Sequence, residues 1–176
     1  AAAAILCTEE GLKRIGADKS RCIKISASVL RSFSPRRIDQ PELHVGRLAA
    51  QQAYEIAGLG PQDMHVAEVH DASAMGEIIQ AENLGLVELG MGGPAAERGD
   101  FTIGGRIPIN PSGGLESKGH PIGATGIGQL YELVTQLRGE AGARQVEGAR
   151  HAIQENGGGM QGVEEAAVAI HILSKS

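Results

Sequence analysis

The chain has 176 residues, a length at which one compact domain with a real core is expected and a second is not required. A formal net charge of −5, with no Lys/Arg run interleaved with aromatics, excludes nucleic acid as a partner; no stretch approaches the ~20 apolar residues of a membrane span, so a soluble cytoplasmic protein is expected. With two Phe, two Tyr and no Trp, the core has to be built from Ala, Val, Ile and Leu, while 26 Gly clustered between regular stretches point to functional turns rather than a linker.

The opening Ala-Ala-Ala-Ala-Ile-Leu-Cys run reads as a buried strand over residues 1–7, closed by the polar turn Thr8-Glu9-Glu10-Gly11. It lacks a basic leader and an initiator Met, so Ala1 is not expected to be the natural start of the gene product. Residues 22–29 alternate as a second strand, and Pro35 to Pro41 marks a loop whose Arg36 and Arg37, with Arg31, read as solvated charges. Cys7 and Cys22 form neither a CxxC pair nor a disulfide framework; they read as small buried hydrophobes in a reducing compartment.

Leu43, Leu48, Ala49, Ala53, Ile56 and Ala57 recur at helical spacing, and Gly58 and Gly60 end that helix. Val66 to His70 is a short strand running into a helix that Asp71 or Ser73 can cap and that extends to about Leu84. His70 thus stands at the C-terminal end of a strand, where ligand crevices of open α/β sheets form. A Gly-rich, charged excursion over 85–105 precedes a brief strand at 107–109. The following glycine-rich turns lead into a helix reaching about Leu137, with Ile127, Leu130, Leu133, Val134 and Leu137 on one side. Strands at 149–154 and 164–173 close the chain around a second glycine loop, Asn156 to Gly162. This order predicts a mixed α/β sheet with helices on both faces.

The run from Asn110 to Gly126, Asn-Pro-Ser-Gly-Gly-Leu-Glu-Ser-Lys-Gly-His-Pro-Ile-Gly-Ala-Thr-Gly, is similar to the GHP signature of thiolases. The His70-Asp71 pair and Gly157-Gly158-Gly159 follow the order and spacing of the sterol-carrier-protein type of that family, and the likeness covers essentially residues 1–176. What the resemblance implies is the C-terminal half of a fold with α/β/α/β/α layers, usually found in dimers or tetramers. The family activates a cysteine in a CxS-type motif of the other half, and neither Cys7 nor Cys22 lies in such a motif.

The implied activity is acyl-CoA C-acyltransfer, cleaving or forming a carbon–carbon bond of a β-ketoacyl-CoA, as in fatty-acid β-oxidation. Coenzyme A is then a substrate, and no covalently bound cofactor or metal is expected. Carbon–carbon chemistry beside a thioester needs a thiolate, a polarised carbonyl and a proton carrier for the enolate carbon. By resemblance, His120 raises the thiolate fraction of the partner cysteine, and the flanking Gly119 allows close approach. His70 matches the position where one branch of the family orders a water with the Asn of NEAF and the sterol-carrier type has HDCF.

Two departures bear on the proton carrier. Ala72 and Ser73 stand where HDCF has its cysteine and aromatic residue, and Glu155 stands where a terminal CxG motif supplies the acid/base thiol. Glu155, with a raised pKa, or His70 is expected to take that part, or this half is not fully competent. The Gly157 backbone is expected to offer N–H groups to an oxyanion. Ser112 and Ser117 are candidates to contact the pantetheine arm and Lys118 a CoA phosphate, although a hydroxyl that stabilises its own turn is the favoured reading for the two serines.

Expected partners are an acyl-CoA, the N-terminal half or a dimer mate, and a small zinc-ribbon/OB-fold protein. The alternatives are a non-catalytic subunit or fragment with an assembly role, and an aldolase on the same fold. Those aldolases resemble thiolases with tyrosines at the two histidine positions, so His70 and His120 speak against that reading.

Overall fold

In the computed structural model, which describes residues 1–175, the chain runs without regular structure to Thr8. The Thr8 hydroxyl accepts the Gly11 N–H at 3.1 Å and caps helix α1 (Glu9–Ile15), which Gly16 closes in the left-handed region at φ 63°. The strand expected over residues 1–7 is therefore not formed. An apolar run becomes a strand only where a neighbour takes up its hydrogen bonds, and none of the sheet's strands pairs with it. Ile5, Leu6 and Cys7 stay exposed, and Cys22 is only partly covered, so neither cysteine is the buried hydrophobe expected.

The elements that follow are β1 (Ile23–Ser32), α2 (Val45–Ala57), β2 (Val66–Glu68), α3 (Ala74–Asn83), α4 (Gly92–Glu97), α5 (Gly114–Lys118), α6 (Thr125–Arg138), β3 (His151–Gly158) and β4 (Ala167–Lys175). They build one four-stranded sheet in the order β1-β4-β3-β2. β4 is antiparallel to both β1 and β3, and β2 runs parallel to β3. The segment at 107–109 adds only a bridge from Ile109 to Ala67, since Pro108 has no N–H to give a ladder. Its carbonyl still accepts the Ala67 N–H at 3.0 Å.

Period-two alternation sends successive side chains to opposite faces, and the core divides accordingly. On one face Ala27, Val29, Ala67, Ile153, Val168, Ile170 and Ile172 pack beneath α2, whose Val45, Ala49, Ala50 and Ala53 are buried. Small side chains let that helix lie close to the sheet. On the other face Val66, Ala152 and Leu173 pack against Leu133 and Leu137 of α6. Each of those two leucines is fully buried and contributes ~1.5–3 kcal/mol of hydrophobic stabilisation. The expected mixed sheet with helices on both faces is what forms, and α6 carries the β2 to β3 crossover.

Tyr54 of α2 donates its hydroxyl to the Leu84 carbonyl at 2.9 Å, which ties α2 to the end of α3. Ser73, not Asp71, caps α3, accepting the Gly76 N–H at 3.0 Å. Arg36, read from sequence as a solvated charge, is instead buried against Glu164 at 2.7 Å. That carboxylate also accepts the backbone N–H groups of Ser34 and Val45, and these contacts hold its pKa below the usual range against the effect of burial. Among the described residues, no helix is long and apolar enough to cross a membrane.

Candidate active site

The loop that carries His120 is pinned to the C-terminal end of β2 by buried polar groups. Asn110, at φ 50° the one non-glycine residue with positive φ among those described, accepts the Val69 N–H at 2.9 Å and donates to Glu77 at 2.9 Å. Glu68, fully buried at the end of β2, accepts the Ser112 N–H at 3.1 Å and its hydroxyl at 2.8 Å. Lys118 reaches the same carboxylate at 3.4 Å and also donates to Ser112. Burial raises the Glu68 pKa, and the Lys118 charge and the Ser112 contacts oppose that rise.

Asp71 completes the clamp. Its carboxylate accepts the Leu115 N–H at 2.7 Å at the start of α5, and a Cβ on Gly114 would stand 1.9 Å from Asp71 Oδ2. Gly114 also sits at φ 62°, so both space and backbone require glycine there. His70 and Asp71 thus have separate tasks: the His70 ring meets that of His120, and the Asp71 carboxylate seats the neighbouring loop.

The two histidines meet. Their ring centroids are 4.8 Å apart with an interplanar angle of 88°, an edge-to-face contact. His120 is exposed on its turn and His70 half-buried. His120 Nδ1 lies 2.7 Å from the Thr125 hydroxyl, which donates its proton to the Pro121 carbonyl at 3.3 Å. The hydroxyl therefore accepts from the Nδ1–H, and Nε2 of the neutral ring is left free of hydrogen. His70 Nδ1 lies 3.2 Å from Asn156 Oδ1, an acceptor that likewise turns Nε2 of this ring into the free acceptor.

The end of β3 supports His70 from both faces of the strand. Asn156 touches its ring, while the Glu155 side chain, one residue earlier, projects to the opposite face and accepts the His70 backbone N–H at 2.9 Å. Glu155 is fully buried, and its other oxygen, Oε1, has no hydrogen-bond partner. Burial first, and then the nearby Glu165 and Asp71 carboxylates, push its pKa up to about 8, against the lowering effect of the His70 N–H. On the α6 side, Gln129 donates to the Glu155 carbonyl at 3.0 Å and accepts from Gln154 at 2.7 Å, and Gln154 in turn lies 2.6 Å from His171 Nδ1.

The geometry thus brings His70 and His120 together, while Glu155, with its raised pKa, is fully buried and accepts the His70 backbone N–H. Gly157 does not belong to an open loop: it is buried in the ladder opposite Val168, and a Cβ there would meet Glu165 Cγ at 2.7 Å. Gly158, at the end of β3, and Gly159 and Gly162 beyond it are the exposed glycines there. Ser112 and Lys118 have partners inside the chain, and Ser117 is exposed. Thr125, Asn156 and Glu68 were not singled out from sequence. Only the position of Thr125, five residues after His120 in the same turn, carried a signal.

A family model described as "Thiolase C-terminal domain-like" matches residues 33–174. The chain is 46% identical over 162 residues to sterol carrier protein 2 of Oryctolagus cuniculus, covering 89% of this chain and 29% of that protein. It is 44% identical over 176 residues to an acetyl-CoA acetyltransferase of Methanothermobacter thermautotrophicus, covering 99% of this chain and 45% of that one. A solved structure, the Ltp2-ChsH2(DUF35) aldolase, superimposes with a TM-score of 0.72 at 24% identity over 87% of this chain and 39% of that one, a likeness of fold. The chain spans less than half the length of the curated relatives it matches here.

Proposed function

Because the chain belongs to the thiolase family, as its C-terminal domain, we propose that it supplies the histidine half of an acyl-CoA C-acyltransferase. The nucleophilic cysteine then stands in an N-terminal half that closes over the His70–His120 pair. The observation that carries this reading is the edge-to-face histidine pair, with the His120 Nδ1–H committed to Thr125 and Nε2 open.

In this reading His120 Nε2 takes the thiol proton, and the thiolate attacks the β-keto carbonyl of a β-ketoacyl-CoA. The imidazolium so formed turns an Nε2–H toward the oxyanion, which is stabilised as charge develops. Collapse breaks the carbon–carbon bond and leaves an acyl-cysteine and the enolate of the shortened thioester. The His120 imidazolium gives its proton to that enolate carbon by way of His70 Nε2 or a bridging water, Glu155 being buried. His120 Nε2, neutral again, then takes the proton of a CoA thiol and returns it to the cysteine as the CoA thiolate takes the acyl group.

The partners this reading implies are the N-terminal half, a dimer mate and a small zinc-ribbon/OB-fold protein. The name of the similar aldolase, which joins Ltp2 to ChsH2(DUF35), supports a second polypeptide. Ser117 on the exposed turn beside His120 is the hydroxyl best placed for the pantetheine arm. The test is thiolysis of acetoacetyl-CoA by the chain together with an N-terminal half bearing a CxS motif. Activity that requires both and disappears in His120→Ala supports the proposal, and full activity of the 176 residues alone refutes its account of the nucleophile.

A further inference from the structure

Beneath the His70 backbone lies a buried acidic site that the catalytic reading does not use. Glu155 Oε1 and Glu165 Oε2 are the buried side-chain oxygens without a hydrogen-bond partner among the described residues. Both carboxyl groups converge on one place: where a Cβ at Gly157 would stand, Glu155 Oε1 is 3.4 Å away and Glu165 Cγ and Cδ are 2.7 and 3.4 Å away. The missing side chain at 157 is what lets the two acids approach.

The surroundings offer little positive charge. Glu165 Oε1 accepts from Gln80 of α3 at 2.7 Å. From the start of α2, His44 accepts the Gly46 N–H on Nδ1, so the ring's own proton is on Nε2, 3.3 Å from Glu165 Oε2 and not aligned for a hydrogen bond. Burial, with the Arg36 charge, lowers the His44 pKa against the pull of the Glu165 and Glu164 carboxylates. Asp71 adds a third acid beside His70, and Glu77 of α3 lies beyond Asn110. The neighbouring guanidinium, Arg36, is committed to Glu164. Two carboxylates buried here would repel each other and Asp71 with no cation to offset them.

We propose that Glu155 is a positioning residue held as the neutral acid, with its proton on Oε1 turned toward the Glu165 carboxylate, and that this protonated acid fixes the backbone of His70 opposite His120. The inference rests on the proposed role of the histidine pair. Glu155 touches no substrate; it acts through the His70 N–H. When Glu155 loses its proton, a third buried negative charge appears under that loop, and the loop shifts to admit water to it.

The test uses the assembled protein that carries this chain, with glutamate labelled at the side-chain carboxyl carbon, the Glu155 signal being the one absent in Glu155→Gln. The expected result is a Glu155 midpoint near pH 8 that moves down in Glu165→Gln, where the neighbouring charge is gone. A midpoint in the ordinary carboxylate range of about 4.3, or one that Glu165→Gln leaves in place, overturns the proposal. If Glu165→Gln does not fold, the melting temperature decides. It falls between pH 5 and pH 8 in the parent and loses that slope in Glu155→Gln; equal slopes overturn the proposal.

Activity separates a positioning role from a merely structural one. The fall in kcat as pH rises through about 8 is expected to disappear in Glu155→Gln, with KM unchanged. If His70→Ala keeps full kcat, the reading of the histidine pair fails, while the carboxyl titration still decides where the proton sits.

Discussion

The two histidines of the edge-to-face pair are held in opposite ways. His70 is fixed from the interior, its N–H on buried Glu155 and its ring on Asn156, at the end of a strand whose residues are buried. His120 stands on an exposed turn and is tethered by one hydroxyl, that of Thr125. The difference teaches that a proton-transfer base can be set by its loop, with little cost to the core if it is removed, whereas the group opposite it is part of the fold's own wiring.

That contrast can be broken most directly at His120. His120→Ala is expected to lower kcat on the order of 10²–10⁴-fold, with stability changed by less than about 0.5 kcal/mol, as read by thiolysis and thermal unfolding. His70→Ala is expected to lower kcat as well and also to cost about 1 kcal/mol, because Asn156 loses its partner; equal stability of the two variants would erase the distinction.

Gly114→Ala tests the clamp rather than the ring. The added Cβ cannot coexist with Asp71, so at least ~1–3 kcal/mol should be lost together with kcat, with His70 in place and His120 displaced. A smaller effect is expected for Thr125→Val, which leaves the His120 Nδ1–H without an acceptor: kcat falls roughly tenfold, in line with ~1–1.5 kcal/mol for one hydrogen bond, and Thr125→Ser restores it.

The remaining test concerns pH. The folded pKa of Glu155 lies above its ordinary value of 4.5, so between about 4.5 and 8 the unfolded chain gives up this proton while the folded chain keeps it. Stability therefore falls as pH rises through that window, then levels off. Glu155→Gln removes this dependence and should melt higher than the parent at pH 8 and at about the same temperature at pH 4, as differential scanning calorimetry can show.

The helices at α2, α3 and α6 and the strands at β1, β3 and β4 were legible because their apolar spacing matched the period of the element. The glycine motif around His120 was legible because its residues are close in sequence. The apolar residues 1–7 misled because pattern alone does not supply a pairing partner, and α1 was missed although Thr8 and Gly16 are ordinary cap signals. Glu155 was misplaced for a different reason: the strand read over 149–154 stopped short of it and left it at the edge of the glycine loop, whereas β3 runs on to Gly158. Strand alternation, counted from a register that only the β3–β4 pairing fixes, put Asn156 toward the histidine and Glu155 away from it. The contacts that hold the loops, Glu68 to Ser112 and Asp71 to Leu115, join residues 44 apart, and no local pattern encodes them.

The central claim, that His120 offers a free Nε2 to a cysteine of the complementary half, is best tested by the pH dependence of iodoacetamide alkylation of that cysteine in the assembled protein. The account predicts a thiolate present well below the ordinary thiol pKa of ~8.5, and a profile that moves up toward that value in His120→Ala. An identical profile in parent and variant would contradict it.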